Sequence, residues 1–106
     1  MYTATTPKLT FEIEDKNVDL TETVRVWLTV RDKDKNELLK KTMTVEDERI
    51  ASVILSQEET LALPIGTHDG QINYLYHDSD ENLRRGATDH VEIYVQENND
   101  NEVVIE

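Results

Sequence analysis

The stretch Ile54-Leu-Ser-Gln-Glu-Glu-Thr-Leu-Ala-Leu-Pro-Ile-Gly-Thr-His-Asp-Gly-Gln-Ile72 changes conformation three times and decides the fold. It reads as strand, short capped helix, tight turn, strand. Ser56 and Glu59 make a capping box: the serine hydroxyl accepts from the Glu59 amide, and the Glu59 carboxylate accepts from the serine amide. Pro64 has no amide to donate and pushes Leu63 out of the helical region, which limits the helix to a turn or two near residues 57–62. Gly66 supplies the permissive backbone for the reversal. Nucleation is costly and so short a helix cannot stand alone. Leu61 and Leu63 are therefore expected to plug the end of a sheet.

Outward from this segment, period-two alternation dominates. Val24, Val26, Leu28 and Val30 share one face of a strand, with Arg25, Trp27 and Thr29 on the other. Leu9, Phe11 and Ile13 repeat the pattern, as do Val91, Ile93 and Val95. A weaker strand runs from Leu39 to Val45, with Leu39, Met43 and Val45 inward and Lys41 anomalous. Ile50 to Leu55 suits a strand buried on both faces, and in Gln71 to Tyr76 the residues Ile72, Tyr74 and Tyr76 oppose Asn73 and Leu75. The connectors Asp32-Lys-Asp-Lys-Asn36, Glu46-Asp-Glu-Arg49 and Asp78-Ser-Asp-Glu-Asn82 are polar, short and suited to antiparallel hairpins. Arg84-Arg85-Gly86 reads equally as a hairpin turn or a contact loop.

The resulting expectation is an all-β, antiparallel, Ig-like β-sandwich of about six to eight strands with one short capped helix. Residues 1–96 form its single domain. Residues 97–106 form an acidic C-terminal tail, in which 102–105 suit an edge strand or a partner contact through Val103, Val104 and Ile105.

Composition narrows the function. The chain has 106 residues, 23 acidic against 11 basic side chains, a formal charge of −12 and no cysteine. A disulfide framework and a cysteine-ligated zinc site are excluded. The charge opposes binding to nucleic acid or to an anionic membrane. No apolar run approaches the ~20 residues of a membrane span, and the N-terminus lacks the basic start and apolar run of a signal peptide. Synthesis in a cytoplasm is the expectation.

Catalytic, cofactor and metal sites are not expected. His68, His77 and His90 lie at turns and strand ends without ligand spacing and read as surface histidines. Asp32-Lys-Asp-Lys-Asn36 starts like a calcium loop, but Glu37 and Met43 occupy the positions that need glycine and a bidentate glutamate. Its acids, like those of Asp78 to Asn82, serve hairpin tips for backbone reasons. The serines are Ser52, Ser56 and Ser79, and Ser56 is committed to the helix cap. Trp27 stands out because it shares the polar face with Arg25: either a second layer covers it or it meets a partner, where tryptophan is enriched in hot spots. Trp27, Arg25, Val103, Val104 and Ile105 are the candidate protein-interface residues.

The order of these elements resembles small β-sandwich domains in virion proteins of tailed phages of Gram-positive bacteria, the N-terminal domains of baseplate upper proteins and related tail-fibre or head-accessory proteins. The likeness runs through Leu9 to Ile13, Val24 to Val30, Lys40-Lys41-Thr42, Leu55-Ser56-Gln57-Glu58-Glu59-Thr60-Leu61, Gly66, Gln71-Ile72 and Val91 to Val95. It covers roughly residues 8–96. The resemblance implies a non-enzymatic structural part of a virion that contacts other virion proteins as a homo-oligomer or in many copies. Two alternatives come from other classes: an acidic, DNA-mimicking inhibitor of a DNA-binding enzyme, and a carbohydrate-binding module using Trp27, Tyr74, Tyr76 and Tyr94.

Overall fold

The alternating segments become eight strands in the computed structural model, which describes residues 1–105. Glu106, the last residue of the acidic tail, lies outside the described residues. In chain order the strands are β1 (Lys8–Glu12), β2 (Thr23–Arg31), β3 (Glu37–Thr42), β4 (Thr44–Val45), β5 (Ile50–Ile54), β6 (Gly66–His77), β7 (Leu83–Ala87) and β8 (Val91–Val95). The helix α1 (Gln57–Ala62) joins β5 to β6. One sheet has the order β1-β5-β4. In the other, β3-β2-β6 is extended by β8 along the first half of β6 and by β7 along its second half. All strand pairs are antiparallel, so the fold is the expected all-β sandwich.

The core lies between the sheets. Val26, Leu28, Val30 and Ile72 come from the five-stranded layer, and Ala51, Val53 and Leu55 come from the β5 side. Leu28 and Leu55 are wholly buried, each contributing roughly 1.5–3 kcal/mol relative to an exposed side chain.

Val24 leaves this inward row. The β2–β6 register shifts between Thr23 and Arg25, making Val24 the extra residue of a bulge, 60% exposed. The strand expected from Leu39 to Val45 is two strands in different sheets. β3 ends at Thr42, Met43 is buried with its amide on the Val26 carbonyl, and β4 joins β5 in the opposite layer. Lys41 points its charge at the helix: its ammonium donates to Glu59 Oε1 at 2.6 Å and to the Ile54 carbonyl at 2.8 Å.

The capping box at Ser56 is present with both reciprocal bonds, Glu59 N to Ser56 Oγ at 3.1 Å and Ser56 N to Glu59 Oε1 at 2.8 Å. Leu63 is buried, but Leu61 is 40% exposed and does not plug the sandwich. Thr60 takes that place. Its hydroxyl accepts from the Thr5 amide at 3.0 Å and lies 2.9 Å from the Thr5 carbonyl, tying the N-terminal segment to α1.

Residues 66–70, expected to be a turn, begin the twelve-residue β6. Gly66 keeps a positive φ of 128° at its start, whereas Gly70 lies where Val91 and Ile93 fill the space of a side chain. Arg84-Arg85-Gly86 lies within β7, and Gly86 is required there because a Cβ would stand 2.5 Å from the Tyr74 hydroxyl.

The β2–β3 and β6–β7 hairpins use one device. Asp32 Oδ1 accepts from the amides of Asp34 and Asn36, and Asp78 Oδ1 accepts from those of Asp80 and Asn82. Lys35 and Glu81 take left-handed φ values of 65° and 61° at matching positions. The Asn36 amide and side chain hold Asp32 below its ordinary pKa, and the Arg84 guanidinium, followed by the Asn82 amide, does the same for Asp78. The carboxylates of Asp32 and Asp78 are therefore engaged with backbone and neighbours, the role assigned to hairpin acids.

The chain ends of the domain meet. Tyr2 and Gln96 form a parallel bridge, with Thr3 N on the Gln96 carbonyl at 3.0 Å and Gln96 N on the Met1 carbonyl at 2.7 Å. Residues 102–105 form no strand. The tail docks instead on a side chain: Gln57 Nε2 donates to the Val104 carbonyl at 2.8 Å, and Val104 N donates to Gln57 Oε1 at 2.7 Å. Among the described residues no helix is long and apolar enough to cross a membrane.

Candidate functional site

The outer face of the five-stranded sheet is built by the residues that alternate away from the core. On β2 these are Arg25, Trp27, Thr29 and Arg31. Pairing sets Thr42 and Asn73 beside Trp27, Lys40 and Gln71 beside Thr29, and Leu75 between Arg25 and Arg85. The α1 helix contacts the other side of the sheet, through Lys41.

Trp27 is only 4% exposed, yet no second layer lies over it. Long polar side chains of its own face cover it. The Arg25 guanidinium lies 5.0 Å from the indole centroid, Arg85 5.1 Å and the Lys40 ammonium 6.0 Å. Such contacts are worth about 0.5–1 kcal/mol each at exposed positions, with the stems of the cations shielding the ring. Arg85 is fixed by donating from Nε to Asn73 Oδ1 at 3.1 Å. Among the described residues none of these three cations has a carboxylate within ion-pair distance. Trp27 Nε1 is buried and has no hydrogen-bond partner among the described residues. An unmet buried donor costs roughly 1–3 kcal/mol.

A cleft of about 210 Å³ opens beside the indole, lined by Trp27, Lys40 and Arg85 on one side and by Arg31, Glu37 and Asp69 on the other. His90 Nδ1 lies 2.7 Å from Asp69 Oδ2, and Glu37 and Asp69 flank Arg31, so the Arg31 end carries carboxylates while the Trp27 end is cationic.

Arg25 and Trp27, both chosen from alternation, are brought together here. Val103, Val104 and Ile105 are not part of this face. They follow the tail to α1, leaving Ile105 90% exposed. Lys40, Arg85 and Asn73 complete the site through strand pairing, which single-strand periodicity does not carry. Trp27 and Tyr74 are buried and offer no open stacking face to a sugar ring.

The other concavities have a different character. A cavity of about 500 Å³ separates β1 from the β7–β8 corner. Phe11, Ile13 and Ile72 form its apolar lining, and Glu12, Glu14 and Asp89 give it an acidic rim. Tyr74, at its wall, is pushed above its ordinary pKa by burial, and secondarily by Asp15 and Tyr76. Among the described residues no group of three acidic or histidine side chains converges as a metal site. His68, expected at the surface, is buried: its Nε2 sits 2.5 Å from the Pro64 carbonyl, because the β6 strand begins earlier than the turn reading allowed. The hydroxyls of Ser52 and Ser56 serve Glu46 and the helix cap respectively.

Neither a protein-family model nor a curated protein matches the chain.

Proposed function

We propose that this protein is a non-enzymatic structural component of a tailed-phage particle, a baseplate, tail-fibre or head-accessory part that works by fastening protein to protein. The observation that carries the reading is the Trp27 face, where, among the described residues, a buried indole with an unmet donor lies under three cations without ion-pair partners on a sheet surface that no other layer covers. Tryptophan and arginine dominate the energetics of protein interfaces, and a rigid sheet holds them in place. The order of strands and the capped α1 helix fit the resemblance to virion sandwich domains. Multi-copy assembly follows from that reading, and the net charge of −12 would limit non-specific association at high local concentration.

Mass spectrometry of purified particles of the encoding phage tests this. The chain is expected among the virion proteins in stoichiometric amount. Its absence from particles, together with its recovery bound to a host DNA-binding enzyme, would replace the structural reading with that of an acidic inhibitor.

A further inference from the structure

We propose that the cations around Trp27 form a docking site for a short acidic polypeptide segment of a neighbouring protein. This rests on the assembly reading and names the chemistry of the partner. In a chain with 23 acidic side chains, Arg25, Lys40 and Arg85 converge on one indole and none is neutralised by a carboxylate of the described residues. Three like charges held together raise the local potential, and an incoming carboxylate relieves it. A carbonyl or carboxylate oxygen of the same segment also supplies the acceptor that Trp27 Nε1 lacks among the described residues, once the side chains above it part.

The length of the ligand is set by the ends of the face. β2 has nine residues, which span about 30 Å at ~3.4 Å per residue. The antiparallel pairing puts the Asp32–Asn36 hairpin beyond its Arg31 end and the Asp78–Asn82 hairpin beyond its Thr23 end. Glu37, Asp69 and Glu92 add negative charge on the Arg31 side of the same surface. A long polyanion such as nucleic acid would have to cross acidic ground at both ends, whereas a short extended acidic segment fits between them. Docking in this way is governed by charge complementarity and weakens as salt is added.

Trp27 is the sole tryptophan, so its fluorescence reports the site directly. A capped hexaglutamate peptide titrated into the full chain is expected to give a saturable change, with affinity falling about tenfold or more when salt rises from about 20 mM to about 500 mM. Lys40→Gln combined with Arg85→Gln is expected to weaken binding at least about tenfold. Both side chains are exposed, so the fold persists, and urea unfolding verifies it. Trp27→Phe, followed by calorimetry, is expected to weaken binding by removing the donor while keeping a ring. Lys16→Gln, away from the face, is expected to leave it unchanged. Three results would each overturn the proposal: no saturable response at millimolar peptide, undiminished binding by the doubly substituted chain, or equally tight binding of a hexathymidylate strand. A chain found in particles that ignores the peptide loses this inference and keeps the assembly reading. A chain that binds the peptide but is absent from particles does the reverse.

Discussion

Replacing Thr60 with valine isolates one hydroxyl that joins two parts of the chain distant in sequence. Thr60 is fully buried, and its hydroxyl serves both the amide and the carbonyl of Thr5, with the Gln57 carbonyl 3.2 Å away. Valine preserves the volume, so no cavity is made. What changes is that two half-buried backbone groups of Thr5 lose their partner at about 1–3 kcal/mol for each fully buried group. Thr5 is only partly shielded, so about 2 kcal/mol in total is the expectation, and for a domain of this length that is roughly 8–16 °C in Tm. Thr60→Ser keeps the hydroxyl and loses a buried methyl, an expected cost of about 1 kcal/mol. Urea unfolding of the three proteins, with unchanged slopes, measures the order wild type, serine, valine. If serine were the worse substitution, or if valine cost less than about 0.5 kcal/mol, packing rather than hydrogen bonding would anchor the N-terminal segment and the reasoning would fail.

Gly86→Ala is expected to destabilise by about 1–3 kcal/mol through the clash with the Tyr74 ring, and much less in a Tyr74→Leu background, a coupling that a double-mutant cycle on urea stability reads out. Burial raises the Glu59 pKa, but Lys41 and the Ser56 amide outweigh it and leave the carboxyl below its ordinary 4.5. Its stabilisation is therefore fully present above that value and is lost as pH falls through the lower folded-state pKa. Glu59→Gln should cost about 1 kcal/mol or less near neutrality, with the difference from wild type vanishing in acid; a pH-independent difference would show that the ion pair with Lys41 is not its source. Gln57→Ala should raise amide exchange at Val104, measured by NMR, to that of an unstructured chain, while global stability moves by less than about 0.5 kcal/mol.

The capped helix was legible from sequence because its determinants lie within nine consecutive residues: Ser56, Glu59 and the stop at Pro64 act locally. Thr60 was not, since its partner Thr5 lies far along the chain and leucine outweighs threonine in any hydropathy pattern. The change of sheet at Met43 left the hydropathy alternation unbroken, because the pattern continues from β3 into β4 while the layer changes. Lys41 was the only local sign, a charge in an inward position that finds Glu59 on the helix. At the candidate site, Trp27 and Arg25 were legible as neighbours on one strand face. Lys40 and Arg85 come from strands on opposite sides of β2, and only the register β3-β2-β6-β7 puts both over the indole. β7 itself was obscured by Arg84-Arg85-Gly86, whose composition suits a loop until Tyr74 supplies the reason for glycine.

The parallel bridge between Tyr2 and Gln96 has a mechanical consequence. In a parallel pair, tension drawn back through Met1 and forward past Gln96 runs in opposite senses along one axis, so the bonds of Thr3 to Gln96 and of Gln96 to Met1 are loaded together in shear rather than peeled one after another. Single-molecule pulling between these two points should therefore meet a higher rupture force than pulling across the Asp32–Asn36 hairpin, where β2 and β3 can unzip from one end. The fold gains strength along that direction of pull without any additional contact.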